Sequence, residues 1–315
     1  MNRLLAFFLN VFVLGIFTSC SHFSQKSFQF DAQKPVSIRF QNLLSLQVGQ
    51  AGCSIMNYGG LERMSRYSKG HPVDLSFQIG PAFSTIFNQS HSPAELREKR
   101  EQIWKSWVEQ GVSFYSVDAV DLRPSLVDFT SLQTKEISVL SSNLKSESGD
   151  WLFKPSLNLE MGGETFVVLS FSEGMETGAG WKTEGPEAAL KELEASFPSN
   201  VSAFYVLGSL KAETRKRLLG LFKKPVLFLG GANGERNTTE IISLTNQAFW
   251  VKSPDLGRGY SEMIIGKVSE GFSQKQNLKT IGGLSHSFAS RILREDSDHS
   301  NHCFHSLEKK GPQQK

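Results

Sequence analysis

Thr165-Phe166-Val167-Val168-Leu169-Ser170-Phe171 is apolar at every position except Thr165 and Ser170. A strand that is apolar on both sides needs cover on both sides, which is the pattern of a parallel sheet with helices outside it. Downstream, Pro186 opens a helix carrying Leu190, Leu193 and Phe197. Ala203 to Leu207 reads as a second strand, 211–222 as a basic helix, and Pro225 to Leu229 as a third strand. Strand and helix alternate, so the fold class is α/β.

Upstream the same alternation holds. Val73, Leu75, Phe77 and Ile79 alternate with polar residues, the period of a half-buried strand. Ser92-Pro93-Ala94-Glu95 forms a capping box with proline at the first helical position. Leu96, Ile103, Trp107 and Val108 then give a helix over 93–109 one apolar face. Short strands are expected at 112–117 and 137–140. After Gly230-Gly231 the signals turn to β, at 241–244, 248–251 and 260–268. From about residue 270 Ser, Gln, Lys and His dominate, and the end of the chain reads as poorly ordered.

The 315 residues are 39% hydrophobic and 21% charged, which excludes collagen-like, low-complexity and wholly disordered classes. The net charge of +3 is close to balanced, with no basic stripe, so no nucleic-acid partner is expected. Three cysteines exclude a disulfide framework.

The first cysteine has its own reading. Arg3 supplies a positive start, and Leu4 to Phe17 are apolar except for Asn10, short for a membrane span and suited to a signal peptide. Phe17-Thr18-Ser19-Cys20 resembles a bacterial lipobox, with Phe17 where leucine is usual. That resemblance implies cleavage after residue 19 and acylation of Cys20, anchoring the chain to a membrane by its lipid. Ser21 in place of Asp implies the outer membrane, with the chain facing the periplasm or the surface. The expected organisation is a signal at 1–19, a tether at 20–35, one α/β domain at 36–270 and a partly disordered extension at 271–315.

Several segments of the domain resemble the calcineurin-like metallophosphoesterases, specifically the N-terminal domain of their 5′-nucleotidase branch. Gly59-Gly60-Leu61-Glu62-Arg63 is similar to that family's Gly-Gly-Leu-x-Arg helix start, and Gly52-Cys53-Ser54 to a loop of one lipoprotein-like sub-branch. Leu75 to Gly80 resembles the strand ahead of its Gly-Asp. Val139-Leu140-Ser141-Ser142-Asn143-Leu144 resembles its Val-Leu-Ser-Ala-Asn-Leu, and Gly162-Gly163-Glu164 with the following strand another of its strands. Gly230-Gly231 is similar to the start of its Gly-Gly-His. The resemblance covers roughly residues 40–268, short of the family's substrate-binding C-terminal domain. It implies two mixed β-sheets packed face to face with helices outside, an αββα sandwich.

The resemblance also implies two divalent metals held by Asp, Asn and His at strand ends. Those ligand types are replaced in this sequence. The first motif falls near Gln47; the Gly-Asp is Gly80-Pro81; the Gly-Asn-His falls at Asp118-Ala119-Val120; a later histidine falls near Ser209; the Gly-Gly-His is Gly230-Gly231-Ala232. The expected function is therefore a non-catalytic, lipid-anchored binding or assembly module with no cofactor and an unknown envelope partner or ligand. The alternative is a phosphoesterase with replaced ligands, using a divalent metal such as Mn or Zn on Asp118, Asp121 and Glu173.

Other candidates have plainer readings. Asp118 and Asp121 could form an acid pair, or Asp121 could cap the following turn. Gly230 to Glu235 could form an anion nest or simply a tight loop. His299, His302, Cys303 and His305 form a tract suited to adventitious metal binding, and Cys53 and Cys303 could pair or stay free. The basic residues Lys211, Arg215, Lys216, Arg217, Lys223 and Lys224 read as a solvated helix face, and Trp104 and Trp107 as core.

Overall fold

In the computed structural model, the apolar stretch at 165–171 becomes β8 (Glu164–Ser170), a central strand of a seven-stranded sheet. β8 pairs in parallel with β11 (Val201–Leu207) and antiparallel with β7 (Ser156–Met161). β12 (Val226–Gly230) and β14 (Ala248–Lys252) continue the sheet in parallel. β13 (Ile241–Ser243) closes one edge antiparallel, and β1 (Phe28–Phe30) closes the other in parallel with β7. The structure describes residues 28–31, 34–42, 61–83, 92–123, 129–130, 136–231, 241–252, 259–266, 279–281 and 284–292.

A second seven-stranded sheet is built on parallel neighbours β2 (Val36–Asn42), β3 (Leu75–Ile79), β4 (Phe114–Ser116) and β5 (Ser138–Leu140). β15 (Gly259–Ile265) lies antiparallel to β2, and β17 (Leu284–Ile292) and β16 (Lys279–Ile281) follow it. A small sheet of β6 (Leu144–Ser146), β9 (Thr177–Gly178) and β10 (Trp181–Thr183) stands beside them.

The two large sheets bury one face of each against the other. Ile38, Phe40, Phe77 and Ile79 of the second sheet meet Leu159, Val168, Tyr205 and Leu227 of the first in one apolar cluster. Phe166 stacks on Tyr205 within it, the ring centres 5.1 Å apart. The helices take the outer faces. On the second sheet lie α1 (Leu61–Gly70) and α2 (Pro93–Glu109), and Ile103, Trp104 and Trp107 of α2 pack on Tyr115 and Val117. On the first sheet lie α4 (Pro186–Leu193) and α5 (Ala212–Leu219), where Leu190, Leu193 and Leu218 cover Val167, Leu169, Phe204 and Phe228. A short α3 (Ala119–Leu122) follows β4. The result is the expected α/β sandwich, helix over sheet over sheet over helix.

Four expectations change in detail. Phe28 and Phe30, placed in a flexible tether, form β1 and pack against the inter-sheet core, because their alternation about Gln29 is itself a strand signal. The second sheet runs past residue 270 into β16 and β17, so the expected boundary there is too early. β7 is an addition: buried Leu157, Leu159 and Met161 alternate with half-buried Asn158 and Glu160, a strand period that the sequence does carry. The basic helix at 211–222 is shorter, and Arg215 leaves its solvated face: it is buried over the Trp250 ring, 3.5 Å from the ring centre.

Candidate functional site

The parallel strands of the two sheets end close together, and hydroxyl groups join those ends. Ser116 at the end of β4 and Ser170 at the end of β8 share a hydrogen bond of 2.6 Å between their Oγ atoms. Ser142 Oγ accepts from the Ser170 amide at 2.8 Å and donates to the Pro155 carbonyl at 2.6 Å. Ser172 Oγ accepts from the Ala119 amide at 3.0 Å. Asn143 holds the same turn at two points, accepting from the Ser172 amide at 2.9 Å and donating to its carbonyl at 3.0 Å. All five side chains are buried. Their oxygens and nitrogens are therefore committed to protein partners, as buried polar groups require.

Backbone fills the remaining space. Gly80 N–H donates to the Ser116 carbonyl at 2.8 Å. A side chain at Gly80 would press on Asp121 Oδ2 at 2.8 Å and the Tyr115 hydroxyl at 2.9 Å, so only glycine fits there. At the ends of β11 and β12, a Cβ on Gly230 would overlap the Gly208 carbonyl. Ser209 Oγ reaches the Gly80 carbonyl at 3.5 Å, spanning the two sheets.

Two carboxylates sit beside this seam. Asp118 is the N-cap of α3, accepting from the Val120 amide at 3.0 Å. Asp121 answers it by accepting from the Asp118 amide at 3.1 Å, which completes a capping box. The cap is thus Asp118, and Asp121 is its reciprocal partner rather than the cap of a following turn. Asp121 also accepts from the Phe83 amide at 2.9 Å and from the Tyr115 hydroxyl. Arg100 donates to its carbonyl at 3.1 Å.

Burial raises the Asp118 carboxyl to about 7, and the neighbouring Asp121 charge pushes the same way. Burial also raises Asp121, against the Tyr115 hydroxyl and the Phe83 and Asp118 amides, which favour its charged form. The Tyr115 hydroxyl lies well above its ordinary value, through burial and then the Asp121 charge. Glu173 lies apart from this pair. It accepts from the Lys211 amide at 2.9 Å and from Thr214 Oγ1 at 2.7 Å, fixing the start of α5.

These positions do not fit a dinuclear metal centre. Pro81 has no side-chain donor atom, Ser209 turns to a carbonyl, and both Asp121 oxygens face protein donors. Among the described residues no group of three or more His, Cys, Asp or Glu is placed to hold a metal ion. Asp118, Asp121 and Glu173 do not converge as one ligand set, since Glu173 serves α5. Gln47, Ala232, Cys20, Cys53, Cys303 and the histidines of the tail lie outside the described residues. Tyr115, Arg100 and the serines at 116, 170 and 172 were not singled out from the sequence. Their signal was the repeated placing of Ser at the ends of apolar strands.

No protein-family model matches this sequence, and no curated protein matches it either. Solved structures do. A 5′-nucleotidase precursor from Thermus thermophilus superposes with a TM-score of 0.56 at 13% identity, over 83% of this chain and 55% of that one. The sulfate thiohydrolase of the same organism gives 0.57 at 15% identity, over 75% and 43%. The NAD nucleotidase of Haemophilus influenzae gives 0.55 at 11%, over 83% and 50%. The chain spans about half the length of these structures. The fold is the one found in these 5′-nucleotidase and NAD nucleotidase structures.

Proposed function

We propose that this chain is a non-catalytic envelope protein: a metallophosphoesterase scaffold anchored through lipid on Cys20, with its former metal-binding face given over to binding or assembly. The observation that carries this reading is the seam at the strand ends. Proline stands where the family's aspartate is expected, and the hydroxyls of Ser116, Ser142, Ser170 and Ser172 are turned on the protein's own groups. A dinuclear site works by bridging phosphate and activating a water, and that needs anionic oxygen or imidazole at several of these positions at once. The partner is an envelope protein or ligand, held outside the cytoplasm at the outer membrane. No nucleic-acid role is proposed, because the charge is nearly balanced.

The test is hydrolysis of p-nitrophenyl phosphate and of nucleotides by the purified protein with Mn²⁺, Co²⁺ or Zn²⁺ added. No turnover above the metal-only control is expected. Turnover that disappears in Asp118→Asn would overturn the reading in favour of a phosphoesterase with replaced ligands. The anchor is tested separately: radiolabelled palmitate is expected to enter the wild-type chain in cells and not Cys20→Ala.

A further inference from the structure

On the outer side of the second sheet, Gln41 of β2 and Gln78 of β3 lie directly opposite each other in the parallel register. The next residue in that row, on β4, is Tyr115, whose hydroxyl serves Asp121. Both glutamines are buried, at 0% and 1% exposure. Among the described residues, Gln41 Nε2, Gln41 Oε1 and Gln78 Oε1 have no hydrogen-bond partner. Trp107 Nε1 of α2, whose ring lies 4.9 Å from that of Tyr115, is likewise buried without one. Earlier in β2 the same face is fully served. Arg39 binds Glu262 Oε1 at 2.9 and 2.8 Å and donates to the His71 carbonyl.

Buried carboxamides are matched by a partner in nearly every folded protein, because an unmade bond leaves the desolvation cost uncompensated. Apolar residues of the same shape would remove that cost, so two adjacent glutamines here point to something that uses them. The groups left over on the two glutamines are one NH₂ donor and two carbonyl acceptors, all neutral. A cation would meet a donor among them, and an anion two acceptors. A small neutral molecule that both donates and accepts satisfies the set, and water is the smallest of these.

We infer that Gln41 and Gln78 form an internal hydration site on the outer side of the second sheet, holding at least one ordered water. The site is separate from the serine seam and does not depend on the proposed function. It lies under the strand ends that carry Gly80 and next to the Tyr115–Asp121 pair, so it hydrates the buried layer that supports the candidate face.

A crystal structure of the full chain at a resolution that shows ordered solvent tests this directly. Solvent density within hydrogen-bonding distance of both the Gln41 and Gln78 carboxamides is expected. Carboxamides bonded directly to each other or to other protein groups, with no solvent between, would overturn it. Oxygen-17 relaxation dispersion in solution gives a second reading. The wild-type chain is expected to show a long-lived internal water that is lost in Gln41→Leu/Gln78→Leu; an unchanged dispersion in a folded double variant would overturn the assignment.

Discussion

The two large sheets end differently at the face where their parallel strands converge. In the first sheet β8, β11 and β12 end in neutral groups, the hydroxyls of Ser170, Ser172 and Ser209 and the backbone of Gly208 and Gly230. The second ends in charge, with Asp118 and Asp121 buried beside Tyr115 and within reach of Arg100. A neutral end needs only local hydrogen bonds. A charged end must commit most of its acceptor capacity to protein donors, or its carboxyls take up protons. Asp121 does the first with three donors, and Asp118, with one, moves toward the second. The two carboxylates hold a turn in place, and among the described residues they are not joined by a third His, Cys, Asp or Glu placed to hold a metal ion.

The comparison breaks most visibly at Asp121. Asp121→Ala leaves the Tyr115 hydroxyl and the Phe83 and Asp118 amides without their acceptor, at an expected cost of about 3–5 kcal/mol. Urea unfolding measures it. A loss below about 1 kcal/mol would mean the carboxylate is not the centre of that end. On the neutral side, Gly230→Ala drives a methyl group into the Gly208 carbonyl, which is backbone and has little room to yield. A loss of about 3 kcal/mol is expected in the same assay, and a neutral outcome would show that the two strand ends are not in contact.

Proton linkage sharpens the charged side. The folded chain holds Asp118 protonated up to about pH 7, whereas the unfolded chain releases that proton near the ordinary carboxylate value. The contribution to stability is therefore full below about pH 4 and is lost as pH rises through about 7, a span of roughly 4 kcal/mol. Asp118→Asn keeps an N-capping side chain and is expected to flatten that slope, with a net gain at pH 8. An unchanged slope in thermal unfolding between pH 4 and 8 would place the linked proton elsewhere. The smallest effect belongs to the neutral seam. A double-mutant cycle on Ser116→Ala and Ser170→Ala is expected to give a coupling of about 1 kcal/mol, and additivity would remove the bond between the sheets.

The sandwich was legible in the sequence because its central strands are apolar on both faces and two of its helices open on proline, at Pro93 and Pro186. Thr165 to Phe171 and Ser92 to Glu95 are the clearest cases. β17 was harder, since Ser-rich strands resemble loops. Pro81, Asp118 and Ser209 could be pointed to only by resemblance, as positions where the family's ligands are expected. Their hydrogen-bond partners were not legible. Hydrogen bonds such as Ser116 to Ser170 and Tyr115 to Asp121 join side chains brought together by strand pairing and sheet packing, which no local pattern reports.

Elemental analysis of metal in the purified protein tests the central claim most directly, run beside a variant with His299, His302 and His305 changed to Ala to remove the tail's contribution. Metal far below one equivalent is expected in the variant after equilibration with Mn²⁺ or Zn²⁺. Two equivalents retained through dialysis, and lost in Asp118→Asn, would contradict the account.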